Sequence, residues 1–391
     1  MRPYLLRLVG TALGAAGLGV LAALHACTPK AGGTDRAPED GGAPDPSNAD
    51  VMCGHSEPRG PPDVVDAGGN LDLLFGVAQK CFGTQSKDDA GNWMYQSLGF
   101  DLDHTCTGEG QGPSCVEPSS ATSTDHTDGP GGVDNAYIQS GIQSGVAVLG
   151  VADCVSTRAD QLVEMYRVRD YSGAPDDDYV EVSQYFGVGL TPRGDDGGTA
   201  PLWDGTDRWP IVPESLAGSP EGGAPAAMYE ARYKAQIAYV TGGVLVAQFD
   251  AGEVASGVQA SLTSLVPVTQ LIVTGRLVPP ADAGGPWGLP DMVETVRLPV
   301  TSVFVTWLLN PSLDGGASPC TSSAAYAMVK DGLCRFVDIS SRPGSPTSAP
   351  CDAVSSAVLE HMGPALLGEV APPALPLPSC AVGNPQTDTC P

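Results

Sequence analysis

Apolar positions along the chain follow the two-residue period of β-strands more often than the period of a helix. Residues 162–168 are rich in β-forming types, and apolar residues alternate with polar or small ones over 180–190. Residues 237–249 predict a hairpin that turns at its two glycines. The stretch 262–278 predicts two strands kinked at its proline, and 293–309 predicts one or two more strands.

Helical patterns are confined to two segments, Ser322–Val329 and Asp352–Leu367. In the second, Asp352 is placed as an N-cap and Gly368 as the residue that ends the helix. The chain also contains 50 glycines and 36 prolines, which favours short strands joined by many turns. The sequence therefore predicts an all-β, two-sheet sandwich or jelly-roll-like domain with disulfides and a few peripheral helices.

The first residues of the chain follow the layout of a secretory signal peptide. Arg2 and Arg7 supply positive charge, residues 8–24 are uncharged and mostly apolar, and a small residue, Ala26, precedes Cys27. The apolar run is at the short limit of the roughly 17–25 residues that span a bilayer. A cleaved signal peptide, residues 1–26, is therefore favoured over an uncleaved membrane anchor.

The end of this segment, Leu24-His25-Ala26-Cys27, resembles the lipobox of bacterial lipoproteins. The resemblance implies cleavage before Cys27, lipidation of its thiol and acylation of the new amino group. Several acyl chains together give stable membrane anchoring. Thr28 is not the aspartate that retains lipoproteins in the inner membrane, so the resemblance favours the outer membrane, with simple secretion as the alternative.

Composition divides the rest of the chain into three parts. Residues 27–60 are rich in Gly, Pro and Asp and have few apolar side chains, so we predict a flexible tether. Residues 61–370 are predicted to form a single β-rich domain. Residues 371–391 form a Pro-rich C-terminal tail, which Cys380 and Cys390 are expected to pin.

The chain is strongly acidic, with a net charge of −26 over 391 residues. Removal of residues 1–26 takes away two arginines and leaves 17 basic against 45 acidic residues, a net charge of −28. Such a surface repels nucleic acid, and its only expected membrane contact is through the lipid anchor. No Walker loop and no Gly-x-Gly-x-x-Gly motif after a strand is present, so nucleotide binding is not expected either.

Ten cysteines follow Cys27, an even number in a chain predicted to reach an oxidising compartment. Five precede residue 155 and five follow residue 319, so complete pairing requires at least one bridge between the two groups. We expect local bridges Cys106–Cys115, Cys320–Cys334 and Cys380–Cys390. The full set of disulfide candidates is Cys53, Cys81, Cys106, Cys115, Cys154, Cys320, Cys334, Cys351, Cys380 and Cys390.

Several longer segments are familiar as well, among them FGTQSKDDAGNWMYQSLGFDLDHTCT, DGPGGVDNAY, YVTGGVLVAQF, LCRFVDIS and PCDAVSSAVLEHMGPALLGE. Together they resemble uncharacterised, acidic, glycine-rich exported lipoproteins of myxobacterial type. The resemblance implies a β-rich extracytoplasmic domain, and it carries no catalytic residue to this chain.

An aspartate-rich region gives the best candidate for a metal site. Its members are carboxylates and an amide on a strand end and a glycine-containing loop, the donors that calcium prefers. Solvated turns are the alternative interpretation, because aspartate is also a common turn residue. The candidate calcium ligands are Asp101, Asp103, Asp125, Asp128, Asp134 and Asn135.

Trp203 and Trp209 lie in the polar segment PLWDGTDRWP, where they could stack on a sugar or other ligand. Packing within the domain is the alternative role for both side chains. No catalytic motif is present, although a two-carboxylate glycosidase remains open. The leading hypothesis is a membrane-anchored cell-envelope lipoprotein with a non-catalytic binding or structural role, whose partner is a glycan or an envelope protein. The alternative is a secreted hydrolase acting on polysaccharide.

Overall fold

A computed structural model gives the structure of most of the chain beyond the predicted tether. The described residues are 54–64, 68–82, 84–87, 93–95, 98–108, 111–119, 128–129, 131–138, 154–159, 161–190, 200–256, 264–308, 319–373 and 379–391. The predicted signal peptide, Cys27 and most of the predicted tether lie outside them. Residues 47–391 form one compact unit.

Sixteen strands are found in the described residues, in keeping with the alternating sequence pattern. They are β1 (Leu71–Cys81), β2 (Thr84–Lys87), β3 (Trp93–Tyr95), β4 (Cys154–Ser156), β5 (Leu162–Tyr171), β6 (Glu181–Val188), β7 (Arg208–Ile211), β8 (Tyr233–Lys234), β9 (Ile237–Thr241), β10 (Val244–Phe249), β11 (Gly252–Ser256), β12 (Ser264–Val268), β13 (Gln270–Arg276), β14 (Met292–Pro299), β15 (Ala353–Pro364) and β16 (Leu366–Val370).

Two α-helices accompany the strands in the described part of the chain, α1 (Val300–Leu308) and α2 (Ser323–Cys334). The hydroxyl of Ser322 caps α2 by accepting a hydrogen bond from the backbone N–H of Ala325. Neither helix is long and apolar enough to cross a membrane.

Twelve strands belong to one sheet, whose main path runs β16-β7-β6-β5-β1-β15-β14-β13-β10-β9. The pairs are antiparallel except β16–β7, which is parallel. Two further sheets, β11–β12 and β2–β3, have two strands each. The predicted all-β, sandwich-like class with disulfides and few helices is confirmed.

The large sheet closes on itself. Strand β6 pairs with β8, and two residues after β8 the chain enters β9 at the far end of the sheet path. Backbone hydrogen bonds also join Asp177 to Val240 in both directions, and the N–H of Val180 donates to the carbonyl of Ala238. The ring therefore runs β1-β5-β6-β8/β9-β10-β13-β14-β15-β1, in chain order throughout. Its opposite walls face each other as the layers of a sandwich do.

Contacts across this ring identify its interior face. The ring of Tyr166 on β5 packs edge-on against Phe249 on β10, a strand on another part of the wall. The hydroxyl of Tyr166 also reaches Glu294 on β14, two strands away in the other direction. Because alternate residues of a strand face opposite sides, Glu164 and Tyr166 point inward while Val163 and Met165 point outward.

Most of the specific strand predictions are confirmed. The hairpin at residues 237–249 is β9–β10, and the stretch 262–278 forms β12 and β13. The stretch 293–309 is a strand followed by a helix, because β14 continues directly into α1. The predicted helix Asp352–Leu367 is wrong, since this segment forms β15 and the start of β16.

Strand β15 was mistaken for a helix because it is buried on both faces. Only Leu359, His361 and Pro364 among its residues are not fully buried. A strand covered on both sides loses the simple alternation of apolar and polar residues on which its detection depends. The small residues of its first half also suit a helix by intrinsic propensity.

The disulfides connect distant parts of the chain. They join Cys81 to Cys154, Cys115 to Cys351, Cys320 to Cys380, and Cys334 to Cys390, and Cys106 is disulfide-bonded as well. The expected long bridge between the two groups is confirmed by Cys115–Cys351, which spans 236 residues. The three expected local bridges are wrong, because the tail folds back on α2 and the segment around Cys115 pairs beside residue 350.

Candidate functional site

A cluster of four ionisable side chains lies inside the ring. Glu294, Glu360, Lys80 and Glu164 come from the four neighbouring strands β14, β15, β1 and β5, in that order across the sheet. Lys80 and Glu360 are directly opposite each other in the β1–β15 register. We call these four residues the inner cluster. It forms because each strand contributes one inward position to the same level of the ring.

Lys80 is at the centre of the inner cluster. Its Nζ atom lies 2.7 Å from Glu164 Oε2, 2.9 Å from Glu360 Oε1 and 3.6 Å from Glu294 Oε1. The three glutamates are almost completely buried, with at most 2% of each residue exposed. A buried charge needs a partner of opposite sign, and one lysine faces three acids here.

Two neutral side chains extend the network toward the small β11–β12 sheet. The hydroxyl of Tyr166 donates a hydrogen bond to Glu294 Oε2 at 3.0 Å, and Gln184 Nε2 donates to the Tyr166 oxygen at 3.2 Å. Gln184 also exchanges hydrogen bonds with the backbone N–H and carbonyl of Glu253. Strand β11 therefore packs against the network from inside the ring.

Burial changes the acid–base behaviour of the inner cluster. Desolvation, together with the neighbouring glutamates, raises the pKa of Glu164 well above its usual value and that of Glu360 to about 8, although Lys80 lowers both. Desolvation lowers the pKa of Lys80, but the three glutamates raise it more, so its net pKa is well above the usual value. Burial therefore favours the carboxylic acid form of Glu164, whereas Glu360, with a pKa of about 8, exchanges its proton close to neutral pH.

Two oxygens of the inner cluster have no hydrogen-bond partner among the described residues, Glu164 Oε1 and Glu360 Oε2. Carboxylate oxygens of the three glutamates lie within 4.8 Å of one another, a spacing that could hold a metal ion. The Lys80 ammonium, however, lies among these same oxygens and supplies the positive charge. The arrangement thus suits proton exchange and direct lysine–carboxyl contact more than metal binding.

The inner cluster was missed in the sequence, although a signal for it was present. Glu164 interrupts the apolar run Leu-Val-Glu-Met-Tyr, and Glu294 and Glu360 each follow an aliphatic residue in segments with strand character. An acid at an inward strand position normally requires a buried partner. Which side of each strand was inward could not be known before the ring was assembled.

A second acidic group, which we call the outer cluster, contains predicted calcium ligands. Oxygens of Asp101, Asp103 and Asp134 lie within 4.8 Å of one another. Asp128 lies nearby, since the charges of Asp103 and Asp101 act on it. Asp125 lies outside the described residues.

Asn135 has a different role from the other predicted ligands. Its side-chain amide donates to the carbonyl of Ala357 at 3.1 Å, and its oxygen accepts from the N–H of Ala357 at 2.8 Å. The side chain therefore clamps this segment to β15. Both of its polar ends are engaged with backbone, so it does not face the grouped aspartates as a free donor.

The aspartates of the outer cluster are also perturbed. The pKa of Asp134 is raised well above its usual value, that of Asp128 is raised to about 8, and that of Asp103 is also raised. In each case desolvation is the largest cause, and nearby carboxylates add to it. Backbone N–H groups oppose the rise, since Leu102 donates to Asp134 and Thr107 to Asp128, each at 2.6 Å. These bonds occupy carboxylate oxygens that a cation would also use.

Arg297 provides the buried positive charge beside the outer cluster. It is 1% exposed and donates to Gln270, to the carbonyl of Ser340 at 2.6 Å and to the carbonyl of Leu102. Desolvation lowers the pKa of Arg297, while the surrounding aspartates raise it. Because Arg297 and Glu294 are three positions apart on β14, they point to opposite faces of the sheet.

His55, which sequence reasoning did not select, also reaches the outer cluster. Its Nδ1 atom lies 2.5 Å from Asp101 Oδ2. Backbone bonds from Ser56 to Gly131 and from Asp101 to Ser56 hold this segment in place. The end of the predicted tether is therefore packed on the domain at this point.

Calcium binding by the outer cluster stays a prediction. Calorimetry and melting measurements with calcium and with a chelator test it. The absence of a melting shift at millimolar calcium would contradict it.

Trp203 and Trp209 stack on each other outside the ring. Their ring centroids are 5.6 Å apart with an interplanar angle of 25°. Trp209 is fully buried, so a ligand cannot reach it without local opening. Trp203 adopts a left-handed backbone conformation with φ of 55°. Its side chain lies against Gly76 and Gly363, where an added Cβ atom would come within 3.0 Å and 2.6 Å of it. The pair thus packs against the outer wall.

Comparisons with known proteins give no match to a family model, to a curated protein or to a solved structure. The resemblance to exported myxobacterial lipoproteins accordingly stays a prediction.

Proposed function

We propose that the chain is a membrane-anchored cell-envelope lipoprotein whose β-ring domain has a non-catalytic binding or structural role. The observation that carries the non-catalytic role is the burial of the inner cluster. A glycosidase needs two carboxyl groups on either side of an accessible bond. Here, Glu164, Glu294 and Glu360 are at most 2% exposed and contact a lysine instead.

The disulfides support a role outside the cytoplasm. Four bridges are formed between described cysteines, and Cys106 is bonded too, a pattern expected in an oxidising compartment. The lipobox-like segment before Cys27 supplies the route to that compartment and the anchor. A high negative charge favours a solvated surface and does not favour nucleic acid or anionic lipid as a partner.

Membrane fractionation with variants at the predicted lipidation site tests the anchor. The Cys27→Ser variant should lose incorporation of labelled fatty acid and leave the outer-membrane fraction, while its domain still folds. Thr28→Ser is the matched control and should behave as the wild type. Thr28→Asp should move the lipoprotein to the inner membrane. Wild-type protein without lipid would contradict the proposal.

A glycan array and a polysaccharide hydrolysis screen, run on the same purified protein, test the non-catalytic role. We expect no hydrolysis. Turnover that is lost in a Glu164→Gln or Glu360→Gln variant would contradict the proposal and favour the secreted polysaccharide hydrolase. Glycan binding without turnover would identify the partner as a carbohydrate, and a structural role predicts neither binding nor turnover.

A further inference from the structure

The inner cluster places a lysine amine, on a side chain that is 23% exposed, against the almost completely buried carboxyl group of Glu164. We propose that Lys80 and Glu164 condense to form an intramolecular amide bond, with Glu360 as the proton acceptor. The bond would join neighbouring strands β1 and β5 covalently. This inference concerns a modification of the folded domain and does not depend on the proposed cellular role.

The contact geometry favours this pair. Lys80 Nζ donates a hydrogen bond to Glu164 Oε2 at 2.7 Å, which is the shortest of its three carboxyl contacts. The carboxyl carbon lies one bond beyond that oxygen, and reactive geometries bring the joining atoms to about 3–3.5 Å. Strand pairing holds the two residues in place, since β1 pairs with β5 over Leu71–Gly76 and Lys80 itself pairs with Val155 on β4 and Glu360 on β15. The reaction is thus intramolecular, without the entropy cost of bringing two molecules together.

Burial supplies the second requirement, a carboxyl group in its acid form. A carboxylate resists attack by an amine because it is already negative and its oxygen is a poor leaving group. Desolvation raises the pKa of Glu164 well above its usual value, which favours the acid form. Burial of the Glu164 carboxyl group, which is 1% exposed, also limits the access of water that would compete with the amine or hydrolyse an intermediate.

Glu360 is placed to receive the proton that the amine must lose. Its Oε1 atom lies 2.9 Å from Lys80 Nζ, on the strand opposite to that of Glu164. The raised pKa of Glu360, about 8, makes it a better proton acceptor than an exposed glutamate.

The step balances without any oxidant or other reactant. The Lys80 ammonium gives one proton to the Glu360 carboxylate, and the freed nitrogen lone pair attacks the carboxyl carbon of Glu164. A C–N bond forms and the C–OH bond of Glu164 breaks. The departing hydroxyl takes a second proton from the nitrogen and leaves as water. The products are a neutral amide, one water molecule and protonated Glu360.

Mass spectrometry of the full-length protein tests the proposal. After complete reduction and alkylation of the cysteines, we expect the intact mass to be lower than the calculated mass by one water. Protease digestion should then release a branched peptide that joins the Lys80 segment to the Glu164 segment. An intact mass without this loss, or recovery of Lys80 in unbranched peptides, would overturn the proposal.

Three variants separate the covalent bond from an ordinary ion cluster. Lys80→Arg keeps the positive charge but lacks the amine nucleophile, so it should show the full calculated mass. Lys330→Arg is the matched control, because Lys330 is exposed to a similar degree and also forms a 2.6 Å ion pair, with the more exposed carboxylate of Asp388. It should retain the loss of one water. Glu360→Gln should lack the cross-link, since the proton acceptor is removed.

Each other outcome has a definite meaning. Loss of water in Lys80→Arg would overturn the proposal. A branched peptide between Lys80 and Glu360 would overturn the assignment of Glu164 as the acylated residue. If Lys80→Arg does not fold, the peptide map of the wild type decides alone. In a denaturing gel under reducing conditions, the cross-linked chain should also migrate faster than a linear chain of the same length.

Discussion

Replacing Glu360 by glutamine should change how the stability of the domain depends on pH. In the folded chain the pKa of Glu360 is raised from 4.5 to about 8, with burial as the largest cause. Between these pH values the folded state keeps a proton that the unfolded state has released. The stabilisation that protonated Glu360 gives to the folded state is therefore fully present below pH 4.5 and is lost as the pH rises toward 8.

The size of this effect follows from the separation of the two pKa values. At about 1.4 kcal/mol for each pKa unit, complete loss of the proton removes at most about 5 kcal/mol of unfolding free energy. Glutamine resembles the protonated acid in shape and cannot ionise. The Glu360→Gln variant should thus lose less stability than the wild type as the pH rises from 5 to 9, and loss of the cross-link should add an offset that is the same at every pH.

Denaturant unfolding between pH 5 and 9 measures the difference. The buried carboxyl groups of both clusters contribute to the slope in the wild type, so the informative quantity is the change between wild type and variant. It should approach about 1.4 kcal/mol per pH unit between the two pKa values. Glu221→Gln, at an exposed position, is the control and should keep the wild-type slope. A Glu360→Gln variant with the same slope as the wild type would refute the reasoning.

Three further changes test the packing around the two clusters. Replacing Cys115 and Cys351 together by alanine removes a bridge that spans 236 residues. Because the unfolded chain then gains conformational entropy, the unfolding free energy should fall by about 5 kcal/mol. An unchanged denaturation midpoint would contradict this. Arg297→Met leaves the buried aspartates of the outer cluster without their positive neighbour and should lower the unfolding free energy by about 3–5 kcal/mol, again measured with denaturant. A loss within experimental error would show that the outer cluster is neutral without the arginine. Gly363→Ala places a methyl group 2.6 Å from the Cβ of Trp203. It should therefore lower the unfolding free energy by about 1–3 kcal/mol and shift the tryptophan emission. An unaltered emission spectrum would argue against this packing.

The strands that alternate cleanly were predictable from the sequence. The hairpin β9–β10 is buried on both faces but was also predictable, because two runs of β-forming residues flank a Thr-Gly-Gly turn. Strand β15 was not predictable in the same way. Both of its faces are covered, and only the assembled structure shows why nine of its twelve positions are buried.

The disulfide pattern shows a similar limit. Counting cysteines on either side of the chain required one long bridge, and Cys115–Cys351 satisfies that requirement. Short spacing suggested that Cys380 pairs with Cys390, but these two residues bond to Cys320 and Cys334. A disulfide requires its two Cα atoms to be close in the fold, which sequence distance alone does not determine.

The aspartates were found in the sequence because they are close together along the chain, whereas the inner glutamates are not. Asp101, Asp103 and Asp134 come from two short segments. Glu164, Glu294 and Glu360 are brought together only by closure of the ring. The more deeply buried of the two clusters was therefore the one that local sequence features could not reveal.

Strand β14 separates two polar centres that differ in one decisive respect, the identity of the cation. Arg297 on its outer face keeps its charge in any protein environment, because the intrinsic pKa of guanidinium is above the range that burial can overcome. The outer cluster is thus confined to ionic and hydrogen-bonding interactions. Lys80, across the sheet, carries an amine that becomes a nucleophile once it gives up a proton. A covalent link between strands is accordingly expected inside the ring and excluded at the outer cluster, although both centres bring a cation to an excess of carboxyl groups.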